Sequence, residues 1–143
     1  MTVLRVLLPS DGSATALAAV RHVVWLASLG LDVEVHLLNV QPPLPATSAA
    51  ITGRAELEAY HREEGLAALA EARALVEQAG LKLHLHIAVG EPAPVALSFA
   101  ERLGCAQIVM GTHGRGALAG AVMGSVAMAI VAAGHLPVTL VHD

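Results

Sequence analysis

Glycines at positions 111, 114, 116 and 124, with Ser125 directly after the last, are the residues of this chain whose types and spacing could do chemistry. Glycine lacks the Cβ that would hold a ligand away and accepts backbone angles other residues avoid, so clustered glycines let amide N–H groups turn toward an anion. That arrangement is offered by Gly111-Thr112-His113-Gly114-Arg115-Gly116. Ser125 adds a hydroxyl at the first turn of the following helix, where unpaired N–H groups and the positive dipole end favour a phosphate. The matching guest is a nucleotide or another phosphorylated small molecule. A plain βα turn is the alternative, because neither standard phosphate signature is present. A Walker loop needs lysine before its Ser or Thr, and a dinucleotide fingerprint follows the first strand with an acid about twenty residues on.

The elements that must position these residues are legible from periodicity. The nearly continuous apolar run Leu4 to Leu8, broken only by Arg5, reads as a strand covered on both faces, and Ser10-Asp11-Gly12-Ser13 offers a turn and helix caps before Ala14 to Leu29. Val33 to Val40 reads as the second strand, ended by Gln41-Pro42-Pro43-Leu44-Pro45, with a loop from Ala46 to Gly53. A charged amphipathic helix follows from about Arg54 to Ala79, its charges a solvated face. Leu81 to Val89 alternates strictly, with Lys82, His84, His86 and Ala88 on a wet face, which predicts an edge strand. A helix from about Ala93 to Leu103, a strand over Gln107 to Met110, the glycine loop, a helix over Val126 to Ala133 and a last strand over Pro137 to Val141 complete a βαβαβαβαβ order. Such an order predicts a parallel α/β sheet with helices on both faces, within a single domain over residues 1–143. Ligands in such folds sit beyond the carboxyl ends of the strands, where the winding reverses. If the first and fourth strands are neighbours there, Asp11 and Gly111 to Gly116 line one crevice and Val40 closes its side.

Composition narrows the function classes. The chain has 143 residues, 55% hydrophobic and 2% aromatic, so its core is built from Ala, Val and Leu. A net charge of −4, with one Trp, one Tyr and one Phe, argues against nucleic acid as a partner. Cys105 is the only cysteine, which excludes an internal disulfide and a thiolate zinc cluster and fits a reduced cytoplasmic compartment. The N-terminus is too short and too interrupted by Arg5 for a signal peptide. The stretch after Arg115 carries no charge until Asp143. Its Gly134-His135-Leu136-Pro137 break makes it a buried helix and strand rather than a membrane span.

The pattern Gly111-x2-Gly114-x9-Gly124-Ser125, with Pro9-Ser10-Asp11-Gly12-Ser13 after the first strand and the closing Pro137-Val138-Thr139-Leu140-Val141, resembles the universal stress protein family along the whole chain. The resemblance implies a Rossmann-like, five-stranded parallel sheet in the order 3-2-1-4-5, of the adenine nucleotide alpha hydrolase kind. It further implies the ATP-binding branch. Gly111, Thr112, His113, Gly114, Arg115 and Gly116 would form the ribose and phosphate cradle, with Gly124, Ser125 and the following Val126 as phosphate anchor. Asp11 would face the sugar, the base or a bound Mg²⁺. Pro9 and Ser10 would line the pocket, Ser10 standing where a hydrophobic residue is common, and Val40 would meet adenine through its main chain. The family also pairs subunits through the last strand, so a homodimer through Val138 to Val141 is expected, covering an apolar edge.

Several single residues carry two readings. Asp11 could be the cap of the first helix, although Ser13 can cap too. Ser125 could be an ordinary helix residue, Arg115 a solvated loop residue, and His113 either a pH-responsive group or a structural one. His84 and His86 share a strand face, yet no third ligand is near in sequence, so a wet face is the plainer assignment. Cys105 reads as a packing residue. The expected function is a cytoplasmic, homodimeric, ATP-binding stress protein that acts by binding (ADP or AMP being possible residents). The alternatives are a slow Mg²⁺-dependent ATP hydrolase and an interaction module with an empty loop.

Overall fold

Val6, Leu7 and Leu8 are all essentially inaccessible to solvent, which only a strand with neighbours on both edges and helices on both faces can achieve. In the computed structural model, which describes residues 2–45, 47, 53–114 and 123–143, these residues lie in β1 (Leu4–Pro9) at the centre of a parallel sheet. The remaining elements are α1 (Ala14–Ser28), β2 (Val33–Gln41), α2 (Arg54–Gln78), β3 (Lys82–Val89), α3 (Pro92–Arg102), β4 (Gln107–Gly111), α4 (Ser125–Ala133) and β5 (Val138–Val141). The sheet order is β3-β2-β1-β4-β5, the five-stranded topology expected.

Alternation along each strand sorts the core into two layers. On one face Val6, Leu8, Val35, Leu37 and Val109 meet Val20 and Val23 of α1 and Leu69, Ala72 and Val76 of α2. On the other, Leu7, Leu38, Ile108 and Met110 meet Ala93, Ala96 and Ala100 of α3 and Ala127 and Ile130 of α4. The small alanines let α3 and α4 lie close to the sheet, which offsets the scarcity of aromatic residues. On α2, Arg54–Glu58 and Arg73–Glu77 form i,i+4 pairs with exposed side chains, so the helix charges are a solvated face as read from the sequence.

Chain direction reverses at the centre. From β1 the chain winds outward through β2 to β3, then returns to β4 on the far side of β1 and continues to β5. The connections leaving β1 and β4 therefore depart toward opposite faces, and a crevice opens between them at the carboxyl ends.

Some boundaries differ from those expected. Gly111 is the last residue of β4, paired with Val141, rather than the first residue of a loop. The edge position of β3 is as anticipated, but its polar face is only half wet: the Phe99 ring of α3 lies 5.4 Å from that of His86, while His84 stays exposed. A helix covers the later part of the strand. Residues 115–122, with Arg115 and Gly116, and most of the 46–53 loop lie outside the described residues. Among the described residues, no helix is long and apolar enough to cross a membrane.

Cys105 is buried in the second layer, and burial, reinforced by the negative charge of Glu34, pushes its thiol up to about 11. The thiolate is the reactive form. Native protein at pH 8 is therefore expected to resist iodoacetamide while the unfolded chain alkylates readily, as read by intact mass. Equal rates would contradict the packing role.

Candidate functional site

The turn that leaves β1 is held by side chains as much as by backbone. The Ser10 amide donates to the Leu38 carbonyl at 2.8 Å, continuing the β1–β2 ladder, and the Ser10 carbonyl accepts from Asn39 Nδ2 at 2.9 Å. Asn39 is buried and its Oδ1 accepts from Gln41 Nε2 at 2.7 Å, so its polar groups are satisfied while it locks the turn to β2. The Ser10 hydroxyl accepts from the Gly12 amide at 3.3 Å, a reason for a polar residue at this buried position.

Asp11 and Ser13 divide the two roles that the sequence left open between them. Ser13 is the N-cap of α1, its hydroxyl accepting from the Ala16 amide. Asp11 Oδ1 accepts from the Ser13 amide at 2.9 Å, closing an Asx turn around Gly12, whose φ of 82° suits glycine. Asp11 Oδ2 is directed across the crevice: a Cβ built on Gly114 would stand 2.5 Å from it. The bare Gly114 is what lets this carboxylate approach the β4 turn.

The β4 side is equally braced. The Thr112 amide donates to Val141 at 3.1 Å, and the Thr112 carbonyl accepts from the Gly124 amide at 2.6 Å. The Thr112 hydroxyl lies 2.9 Å from His113 Nδ1, and the Thr15 hydroxyl of α1 donates to the His113 carbonyl. Gly124 is the N-cap of α4 and Ser125 its first residue. The early amides of Ser125 and Val126 therefore carry the positive dipole end at the crevice wall.

Together these segments enclose a cleft of about 260 Å³. Pro9, Ser10, Asp11 and Val40 line it from β1 and β2, Gly111, Thr112, His113 and Gly114 from β4 and its turn, and Gly124, Ser125 and Val126 from α4. Every site residue anticipated from the sequence is gathered here except Arg115 and Gly116, which are outside the described residues. Ala16, Leu38, Asn39, Pro92, Met110 and Ala127 also line the cleft and were not anticipated. Asn39 had a signal, a polar residue at the carboxyl end of an apolar strand; Pro92 is the exposed first residue of α3, and the others look like ordinary core residues.

Alternation along β2 adds a main-chain contact. The Leu38 carbonyl faces β1, where Ser10 meets it, and the Gln41 carbonyl faces the other way, accepting from Gly90 after β3. Val40, two residues beyond Leu38, turns its N–H and C=O to the β1 side after β1 has ended. The cleft thus combines apolar walls, a strand-end donor and acceptor, a carboxylate and a helix N-terminus. Such a set can grip a flat heteroaromatic ring, a hydroxylated linker and an anion in that sequence.

Comparison with known proteins gives a consistent picture. The model of the "Universal stress protein family" matches residues 2–142. Universal stress protein MJ0531 of Methanocaldococcus jannaschii is 33% identical over 138 residues, covering 96% of this chain and 81% of that protein. The structure of protein MJ0577 superposes with a TM-score of 0.85 at 30% identity, covering 98% of this chain and 96% of the other. A universal stress protein solved in complex with cAMP gives a TM-score of 0.73 at 22% identity, covering 97% of each chain.

Proposed function

The chain belongs to the universal stress protein family, and from that premise we propose that it binds an adenine nucleotide, ATP foremost, in the cleft between the β1 and β4 turns. One observation carries this: the Asp11 carboxylate, the bare Gly114 and the α4 N-terminus converge on one apolar-walled cleft. Adenine would lie beside β2, with the main chain of Val40 supplying one donor and one acceptor. Asp11 would take the ribose hydroxyls or hold a Mg²⁺ shared with the phosphates. The amides of His113 and Gly114, the adjoining Arg115 and Gly116, and the α4 start at Ser125 and Val126 would bind the phosphates, while the Thr112 and Gly124 amides, already given to the Val141 and Thr112 carbonyls, brace the two segments. A relative crystallised with cAMP supports adenine as the base.

The protein would act by binding, as a cytoplasmic regulator of stress response whose occupancy is read by partners. The lone reduced cysteine is consistent with that compartment. A homodimer through β5 belongs to the same proposal, because Val138 to Val141 form an edge strand of half-buried residues.

The test is to denature the purified protein, identify any released nucleotide, and titrate the nucleotide-free chain calorimetrically with AMP, ADP and ATP, with and without Mg²⁺. Saturable binding near one nucleotide per chain is expected. No binding of any of the three at millimolar concentration would overturn the proposal. Phosphate release measured on the same sample separates binding from turnover, and sedimentation separates dimer from monomer.

A further inference from the structure

Toward the amino ends of the strands, on the sheet face covered by α3, β2 and β3 place two imidazoles and a carboxylate together. Glu34 and His36 share a face because side chains alternate along a strand, and the β2–β3 register sets His84 directly beside His36. One ligand atom from each of Glu34, His36 and His84 lies within 4.8 Å of the other two. We propose that Glu34, His36 and His84 form a binding site for a borderline divalent transition ion of the Zn²⁺ class.

The spacing suits such an ion. Zinc binds nitrogen and carboxylate oxygen at about 2.0 to 2.2 Å, so ligand atoms in a tetrahedral shell stand about 3.4 Å apart. Here His36 Nε2 is 3.0 Å from Glu34 Oε2, and His84 Nε2 is 3.8 Å from Glu34 Oε1. The two rings are stacked, 4.7 Å between centroids and 12° from parallel, and both turn Nε2 toward the same carboxylate. Because the rings stand nearly parallel, an ion held by all three groups would tilt their Nε2 edges toward each other and toward one Glu34 oxygen.

The supporting groups are also present. Metal-bound histidines characteristically donate their other ring N–H to a partner, which fixes the ring. His36 Nδ1 lies 2.9 Å from His86 Nε2, and the Arg5 guanidinium donates to Glu34 Oε2 at 2.9 Å. With both rings neutral, Glu34 can only accept, so in the metal-free arrangement His36 carries its hydrogen on Nε2 and His86 Nε2 donates to His36 Nδ1. Metal on His36 Nε2 reverses that bond, with His36 donating from Nδ1 and His86 holding its hydrogen on Nδ1. Two protons on two rings serve both states.

Depth and donor type select the ion. The His36 side chain is 6% exposed and that of Glu34 14%, whereas that of His84 is 52% exposed, so the site has a dry floor and one open side for a water ligand or an exchanging ion. Two nitrogens and one oxygen favour Zn²⁺, Cu²⁺ or Ni²⁺ over Mg²⁺ and Ca²⁺, which prefer oxygen throughout. His36, the ligand nearest the cleft, precedes Val40 by four residues, about 13 Å along a strand, and His86 lies between it and the cleft end, so the two sites share no residue. A bound ion would cross-link edge strand β3 to β2.

The test uses the full chain with Zn²⁺ as the only added ligand, in competition with a chromophoric chelator, together with thermal unfolding with and without Zn²⁺. One Zn²⁺ per chain and a raised unfolding midpoint are expected. His84→Ala, at an exposed position, and Glu34→Gln should each weaken binding by at least about tenfold, the smallest loss seen on removing even a supporting partner. They should also abolish the midpoint shift. His22→Ala and His135→Ala should change neither. Wild-type affinity in both His84→Ala and Glu34→Gln, or zinc lost only with His22 or His135, would mean an adventitious ion only and overturn the proposal. So would the absence of zinc binding by the unmodified chain.

Discussion

Gly111→Ala should lower the thermal midpoint of the ligand-free protein by roughly 3 to 12 °C. A Cβ built on Gly111 stands 2.7 Å from both the carbonyl carbon and the Cβ of Thr15, and 2.8 Å from the Thr15 carbonyl oxygen. Two of those three atoms are backbone, so no side chain can swing aside. Neither partner moves easily. Gly111 is paired with Val141, the next amide is bonded to the Val141 carbonyl, and the Thr15 hydroxyl is tied to the His113 carbonyl. Overpacking of this kind costs about 1 to 3 kcal/mol. For a chain of this size each kcal/mol moves the midpoint by about 3 to 4 °C. Circular dichroism melting without nucleotide is the measurement. If Gly111 were glycine only to admit a phosphate, that melt would not move, so an unchanged midpoint would refute the assignment of its bareness to the α1 contact.

That contact illustrates what the sequence could and could not reveal. The buried character of β1 was legible because four of the five residues from Leu4 to Leu8 are apolar and leave only Arg5 to solvent, and the edge position of β3 because its alternation admits a wet face. The site's outline was legible for a similar local reason: glycines and a serine around a strand-to-helix turn change what the backbone can do there, whatever surrounds them. The strand order that brings Asp11 to Gly114 came from the family resemblance, since periodicity alone does not say which strands are neighbours. Pair geometry between distant segments was hidden altogether. Gly111 looked like a ligand glycine although Thr15 is what its missing side chain accommodates. His84 and His86 looked like a wet pair lacking a third ligand, because Glu34 and His36 join them only through the β2–β3 register. Asn39 lay within a strand whose apolar neighbours suggested packing, yet its amide holds the Ser10 carbonyl and so shapes the turn that aims Asp11.

Gly124→Val should weaken adenine nucleotide binding at least about a hundredfold while leaving the sheet intact. A Cβ at this position falls 3.3 Å from the Thr112 carbonyl oxygen, 3.4 Å from His113 Cα and 3.7 Å from the Gly114 amide nitrogen. Alanine would be tight there. The two further methyl groups of valine have to displace the Thr112–Gly114 turn from the start of α4, stretching the 2.6 Å bond from the Gly124 amide to the Thr112 carbonyl. The donors proposed for the phosphates belong to both of these segments, so separating them leaves an anion able to satisfy one set but not the other. Each charge-assisted hydrogen bond lost is worth about 1.5 to 3 kcal/mol. Two such losses reach at least a hundredfold at about 1.4 kcal/mol per factor of ten. The cost to folding is smaller, because the position is an N-cap, where replacing a favoured residue costs about 1 kcal/mol. Calorimetric titration with ATP and AMP, paired with ligand-free melting, resolves the two effects, and Gly124→Ala should fall between wild type and valine. Full affinity in the valine variant would place the phosphates elsewhere, because no arrangement that uses both the β4 turn and the α4 N-terminus can survive a wedge driven between them.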